Sequence, residues 1–106
     1  MTENELYPSL VEKLHKDFSL AKESLPSIND LKVIREHLIS KVIELMSRDY
    51  DRFINSMYRI DVSETKVSET LRLKDRTIIP ESLADLIIER QLLRIKTQML
   101  YKSGKL

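Results

Sequence analysis

The chain has no cysteine and no tryptophan. Without thiols there is no disulfide, no thiolate ligand for zinc and no cysteine nucleophile. A single glycine, Gly104, stands near the C-terminus. That scarcity removes the material for tight hairpins, for a Gly-x-Ser-x-Gly nucleophile elbow and for phosphate-cradling or dinucleotide-binding loops. Only three prolines, Pro8, Pro26 and Pro80, interrupt the sequence. No apolar run is long enough to span a bilayer. The opening residues Met1-Thr2-Glu3-Asn4-Glu5 are acidic and polar, unlike the basic and apolar start of a signal peptide. The expectation is a cytoplasmic protein with no membrane partner.

What remains is a chain of 106 residues, 42% hydrophobic and 33% charged. That length and apolar share suit one domain with a genuine core, here residues 1–106. The net charge is only +1 but is unevenly spread. Residues 1–30 carry six acids and three bases, whereas no acid follows Glu89 and Arg90, Arg94, Lys96, Lys102 and Lys105 do.

Hydrophobic periodicity predicts an all-α fold: a small bundle of three main helices plus a short connecting one. Tyr7, Leu10, Val11, Leu14, Phe18, Ala21 and Leu25 recur at mostly three- and four-residue spacing. Ser9-x-x-Glu12 reads as a capping box after Pro8, and Ser24-Leu25-Pro26-Ser27 as a stop. Residues 1–27 are thus read as an N-terminal extension helix. Residues 28–72 hold the central helices, opening at Ser27 with Asp30 as a capping partner. Their stripe runs through Ile28, Leu31, Ile34, Leu38, Val42, Leu45 and Met46 and keeps phase through Phe53, Met57 and Ile60. Asp49 falls inside that stripe, so a bend or fraying is expected near Ser47–Asp49, and one long helix or two abutting ones both fit. Asp61-x-x-Glu64 reads as a cap for a short helix carrying Val67 and Leu71. Residues 73–80 read as a loop or short extended piece in which Ile78 and Ile79 plug a core edge.

The last helix, about 81–102, has two apolar stripes. Leu86, Arg90, Leu93, Thr97 and Leu100 form one; Ala84, Ile88, Leu92, Ile95 and Met99 form the other. A helix apolar on two sides is buried on two sides, centrally in its own fold or against another molecule. Leu86, Leu93, Leu100, Ile88, Ile95 and Met99 are therefore the candidate interface, with a second copy the simplest partner.

Chemistry is sparse. His15 and His37 have no companion ligands at a convincing spacing, and both read as surface residues. Glu81, Asp85 and Glu89 form a carboxylate ridge on the last helix, but the Glu-x-x-His motif of bundle metal sites is absent. The ridge reads as a solvated face whose early acids suit the helix dipole. No catalytic residue, cofactor or metal is expected, and the chain does not read as an enzyme. The basic end offers the alternative of a nucleic-acid-associated protein, although cations at a helix C-terminus are favoured by the dipole in any case.

Tyr58-Arg59-Ile60-Asp61-Val62-Ser63-Glu64 and Leu86-Ile87-Ile88-Glu89-Arg90-Gln91 resemble signatures of a family of small uncharacterised bacterial helical proteins, over about residues 35–100. The resemblance implies no assigned activity. From the residues alone, Arg59 is expected to pair with Asp61 or with Glu89. Arg59, Asp61, Glu89 and Arg90 are then either a structural lock between the middle turn and the last helix, or a polar pocket for a peptide or anion. The reading that follows is a non-enzymatic protein–protein interaction module or small subunit, in its simplest form a homodimer.

Overall fold

A computed structural model of the chain describes residues 3–20, 30–102 and Gly104. Among these are five α-helices, one 3-10 turn and no strand. The all-α expectation holds, while the division into three main helices and one connector is replaced by five. They are α1 (Glu3–Phe18), α2 (Leu31–Arg48), α3 (Tyr50–Arg59), α4 (Glu64–Leu71) and α5 (Ile79–Lys102), with the 3-10 turn Arg76–Ile78 leading into α5.

The extra helix comes from Asp49. Its backbone N–H closes the last turn of α2 on the Leu45 carbonyl at 3.0 Å. Its side chain accepts the Arg52 backbone N–H at 3.1 Å, capping α3. One residue ends a helix and starts the next, because an Asp carboxylate competes for exposed backbone N–H groups better inside a cap than inside a helix. Asp30 caps α2 in the same way, accepting from Lys32 N–H at 2.9 Å.

Three expected boundaries shift. α1 begins before Pro8 rather than after it, so Ser9-x-x-Glu12 lies within the helix and not at its start. Pro8 is exposed, and only the Asn4 carbonyl loses its intrahelical partner. α1 also stops at Phe18, where Ser19 takes a positive φ of 59° and donates its N–H to the His15 carbonyl. The stop at Ser24–Ser27 and the positions of Ala21, Leu25, Ser27 and Ile28 lie outside the described residues. Finally, α4 is capped by Ser63, which accepts from Lys66 N–H at 3.3 Å, and not by Asp61. The expected loop at 73–80 contains the 3-10 turn and the first two residues of α5; Ile79 is buried as expected, but Ile78 is exposed.

Asp61 instead belongs to the C-terminus of α3. Its φ is 66°, its N–H reaches the Tyr58 carbonyl, and the Val62 N–H reaches the Met57 carbonyl. This is a Schellman ending, with Val62 and Met57 both buried as its apolar contact.

α5 is the central helix, packed against α1, α2, α4 and the 3-10 turn. It buries Leu83, Ala84, Ile87, Ile88 and Ile95 against Leu10 and Leu14 of α1, Ile34, Leu38 and Val42 of α2, Phe53 and Met57 of α3 and Val67 of α4. Of the candidate interface, Ile88 and Ile95 are buried in this core and Met99 packs against it. Those three face the chain's own helices, so the second stripe is not an outer surface.

Candidate functional site

Several polar or apolar groupings remain after the core is built. The first joins the middle turn to α5. Arg90 Nε donates to the Ile60 carbonyl at 2.9 Å, and its Nη2 lies 3.7 Å from Asp61 Oδ2. Ile60 is the last residue of the α3 ending, so a guanidinium sits where the helix dipole is negative. Glu89 lines the same shallow recess of about 190 Å³ with Asp61, Lys66, Leu86, Arg90 and Leu93. Arg59 does not join them. It points to the opposite side of α3, donates to Ser56 Oγ at 3.3 Å and lines a different cleft. The expected Arg59–Asp61 and Arg59–Glu89 pairs are therefore replaced by Arg90 with Asp61 and the Ile60 carbonyl. The reason is the left-handed turn at Asp61, which reverses the chain just after Arg59.

The second grouping was not visible as a site in the sequence. Gln91 is fully buried at 0% exposure. Its Nε2 donates to Asp17 Oδ2 at 2.8 Å, and its Oε1 accepts from Arg94 Nη1 at 2.9 Å. Arg94 in turn lies 3.5 Å from Asp17. Asp17, Gln91 and Arg94 thus tie α1 to α5 with both polar ends of the buried amide satisfied. The signal was available: Gln91 falls in the core phase of α5, between Ile87 and Ile88 on one side and Ile95 on the other. Nearby, burial and then the Arg94 charge hold the Lys13 ammonium below its ordinary value.

The carboxylate ridge of α5 is also used. Arg35 of α2 donates to Asp85 through Nε at 2.7 Å and Nη2 at 3.1 Å, and approaches Glu81 at 3.9 Å. The Asp85 hydrogen bonds raise the Arg35 guanidinium above its ordinary value. Glu81 and Asp85 therefore clamp α5 to α2. His15 is likewise occupied, with Nδ1 2.8 Å from the Leu20 carbonyl just past the end of α1. Among the described residues, no group of three or more His, Asp or Glu side chains is placed to hold a metal ion.

The third grouping is a cleft of about 470 Å³ between the C-terminal end of α1, the second half of α2, and α3. Lys16, Lys41, Arg48, Arg52 and Arg59 line it, against the carboxylates Asp17 and Asp49. Lys41 and Arg48 both reach Glu44, at 2.9 and 3.0 Å. These bonds, that of Lys41 first, hold the Glu44 carboxyl below the usual range. Its sequence signal is a ridge: Lys41, Arg48, Arg52 and Arg59 are spaced by seven, four and seven residues, one face of a helix carried through the break at Asp49.

Along the outside of α5, the first stripe is partly exposed. Leu93 is 53% and Leu100 44% exposed, Thr97 is exposed, and Leu86 is half-buried. A second shallow groove, lined by Arg90, Leu93, Arg94, Thr97 and Gln98, meets the recess beside Leu86 at Arg90 and Leu93.

No protein-family model, no curated protein and no solved structure matches the chain. The resemblance of residues 58–64 and 86–91 therefore assigns no role to any residue.

Proposed function

We propose that the protein is a non-enzymatic helical interaction module that pairs with a second copy of itself through the outer face of α5. The observation that supports this reading is the partly exposed leucine ridge on the most deeply integrated helix, with Leu93 and Leu100 exposed and Leu86 half-buried. Leu86, Leu93 and Leu100 recur every seven residues, the spacing of a coiled-coil seam, with Arg90 and Thr97 between them. A rigid, central helix presenting such a ridge offers an ordered surface at low entropic cost.

Charge complementarity favours a second copy. In an antiparallel pair that sets Leu93 of each protomer across from Arg90 of the other, Glu89 of one protomer flanks the seam opposite Lys96 of its partner, and the contact occurs twice by symmetry. Glu89 and Lys96 are both exposed. The alternative of nucleic-acid association through the basic end of the chain has less to draw on, because Arg90 and Arg94 are engaged within the fold. Seven-residue leucine spacing beside uncommitted charges of both signs suits protein better than a phosphate backbone.

Charge reversal tests the register. Glu89→Lys and Lys96→Glu should each weaken self-association in sedimentation equilibrium, and the double variant should restore it. Association indifferent to all three variants rejects the antiparallel seam.

A further inference from the structure

The α1–α2–α3 cleft shares no lining residue with the groove along α5, and self-association makes no use of it. We infer that this cleft binds a small anion carrying several phosphate groups, held by Lys16, Arg52 and Arg59.

Three features converge. Among the described residues, Lys16, Arg52 and Arg59 have no carboxylate at ion-pair distance. The two acids of the cleft are already occupied: Asp17 with Gln91 and Arg94, Asp49 with the Arg52 backbone N–H that it caps. Five cations against two carboxylates therefore leave the lining with an excess of positive charge, and a concave wall with such an excess concentrates the potential that draws an anion in. Lys41 and Arg48 stand behind them with Glu44 as a shared counter-ion, able to turn from an exposed carboxylate to a ligand at small cost.

The chemistry of the donors selects the ligand class. Two guanidinium forks match the oxygen geometry of phosphate, and the lysines act as point charges beside them. Cations presented from three helices, α1, α2 and α3, suit an anion with several phosphate groups better than a single phosphate. The volume of about 470 Å³ lies within the range of small-molecule sites. The aromatic rings at the cleft are unavailable for stacking a base. Phe18 and Phe53 are each 2% exposed and pack edge-on against one another at 6.0 Å between ring centroids. Recognition is thus of the phosphates, with little reading of whatever group carries them.

The test uses the full chain at low salt with inorganic tripolyphosphate as the probe, followed by calorimetry and thermal shift. The wild type should bind and melt higher with the probe, because the ligand bridges α1 to α2 and α3. Arg52→Gln/Arg59→Gln should lose about tenfold or more in affinity, as expected for lost charge-assisted contacts. Lys16→Gln, on a different helix, should weaken binding in the same direction. Lys74→Gln/Arg76→Gln removes the same charge from an exposed loop away from the cleft and should bind as the wild type does. Equal weakening in the two double variants, or no binding by the folded wild type, overturns the inference. Affinity for single-stranded oligonucleotides that exceeds that for tripolyphosphate and climbs with strand length also overturns it, in favour of a nucleic-acid backbone.

Discussion

A single guanidinium decides how α3 is joined to α5. Arg90 donates to the Ile60 carbonyl at the end of α3, while its other contact, to Asp61, involves a carboxylate that is 81% exposed. The carbonyl contact therefore carries most of the effect, and the ion pair little. Arg90→Ala is expected to cost about 1–2 kcal/mol in urea unfolding. Arg59→Ala should stay within about 0.5 kcal/mol, since Arg59 meets only Ser56 on its own helix. Comparable losses in the two variants would contradict this division. The sequence drew attention to the right turn and to three of its four residues. It could not separate Arg59 from Arg90, because the separation depends on the positive φ at Asp61, and an Asp in that conformation looks like any other helix-capping Asp until the backbone is known.

At the scale of helices, apolar periodicity located the helical stretches but neither divided α2 from α3 nor showed the 3-10 turn, and capping chemistry misplaced several helix ends. Asp49 is the instructive residue. Its position inside an apolar stripe marked a disturbance, but a kink, fraying and a clean restart all share that pattern. What settles it is that the carboxylate reaches the Arg52 N–H while the backbone closes on Leu45. Asp49→Ala should therefore destabilise the protein by about 1 kcal/mol, the usual cost of losing an N-cap. A more stable Asp49→Ala protein would mean that the break is imposed by packing and the cap merely tolerates it. Pro8 misled in the other direction: a helix accepts a proline near its start, and such a proline reads in sequence as a boundary. The double stripe of α5 was legible. Its allocation was not, since periodicity gives two faces without saying which one the chain's own helices cover. In the fold Ile88 and Ile95 are buried, and Leu93 and Leu100 are exposed.

Over the whole molecule, 43 × 31 × 21 Å in extent, the acidic beginning and basic end of the chain meet. Asp17 of α1 neutralises Arg94 of α5, so a charge asymmetry that suggested a basic surface is partly spent on joining the first helix to the last. The pH dependence follows from the perturbed groups. Glu44 is held below its ordinary value by Lys41 and Arg48, and Asp75 by Thr77. Their stabilisation is present above the ordinary carboxylate range of about 4 and is lost as pH falls through their lower folded-state values. Lys13, lowered by burial, acts oppositely: charging it opposes folding, and that penalty is relieved as pH rises through its folded-state value. Melting temperature should fall on acidification below about pH 4, and Glu44→Gln should flatten that fall. An identical acid profile for the variant would remove Glu44 from the account. The central claim is self-association through α5, and light scattering on the wild type beside Leu93→Glu measures it most directly. The account predicts a wild-type mass approaching twice the 12.5 kDa of the chain as concentration rises, and a folded, monomeric Leu93→Glu protein whose melt no longer rises with concentration. A wild type that stays at 12.5 kDa throughout, or a Leu93→Glu protein that still dimerises, would contradict it.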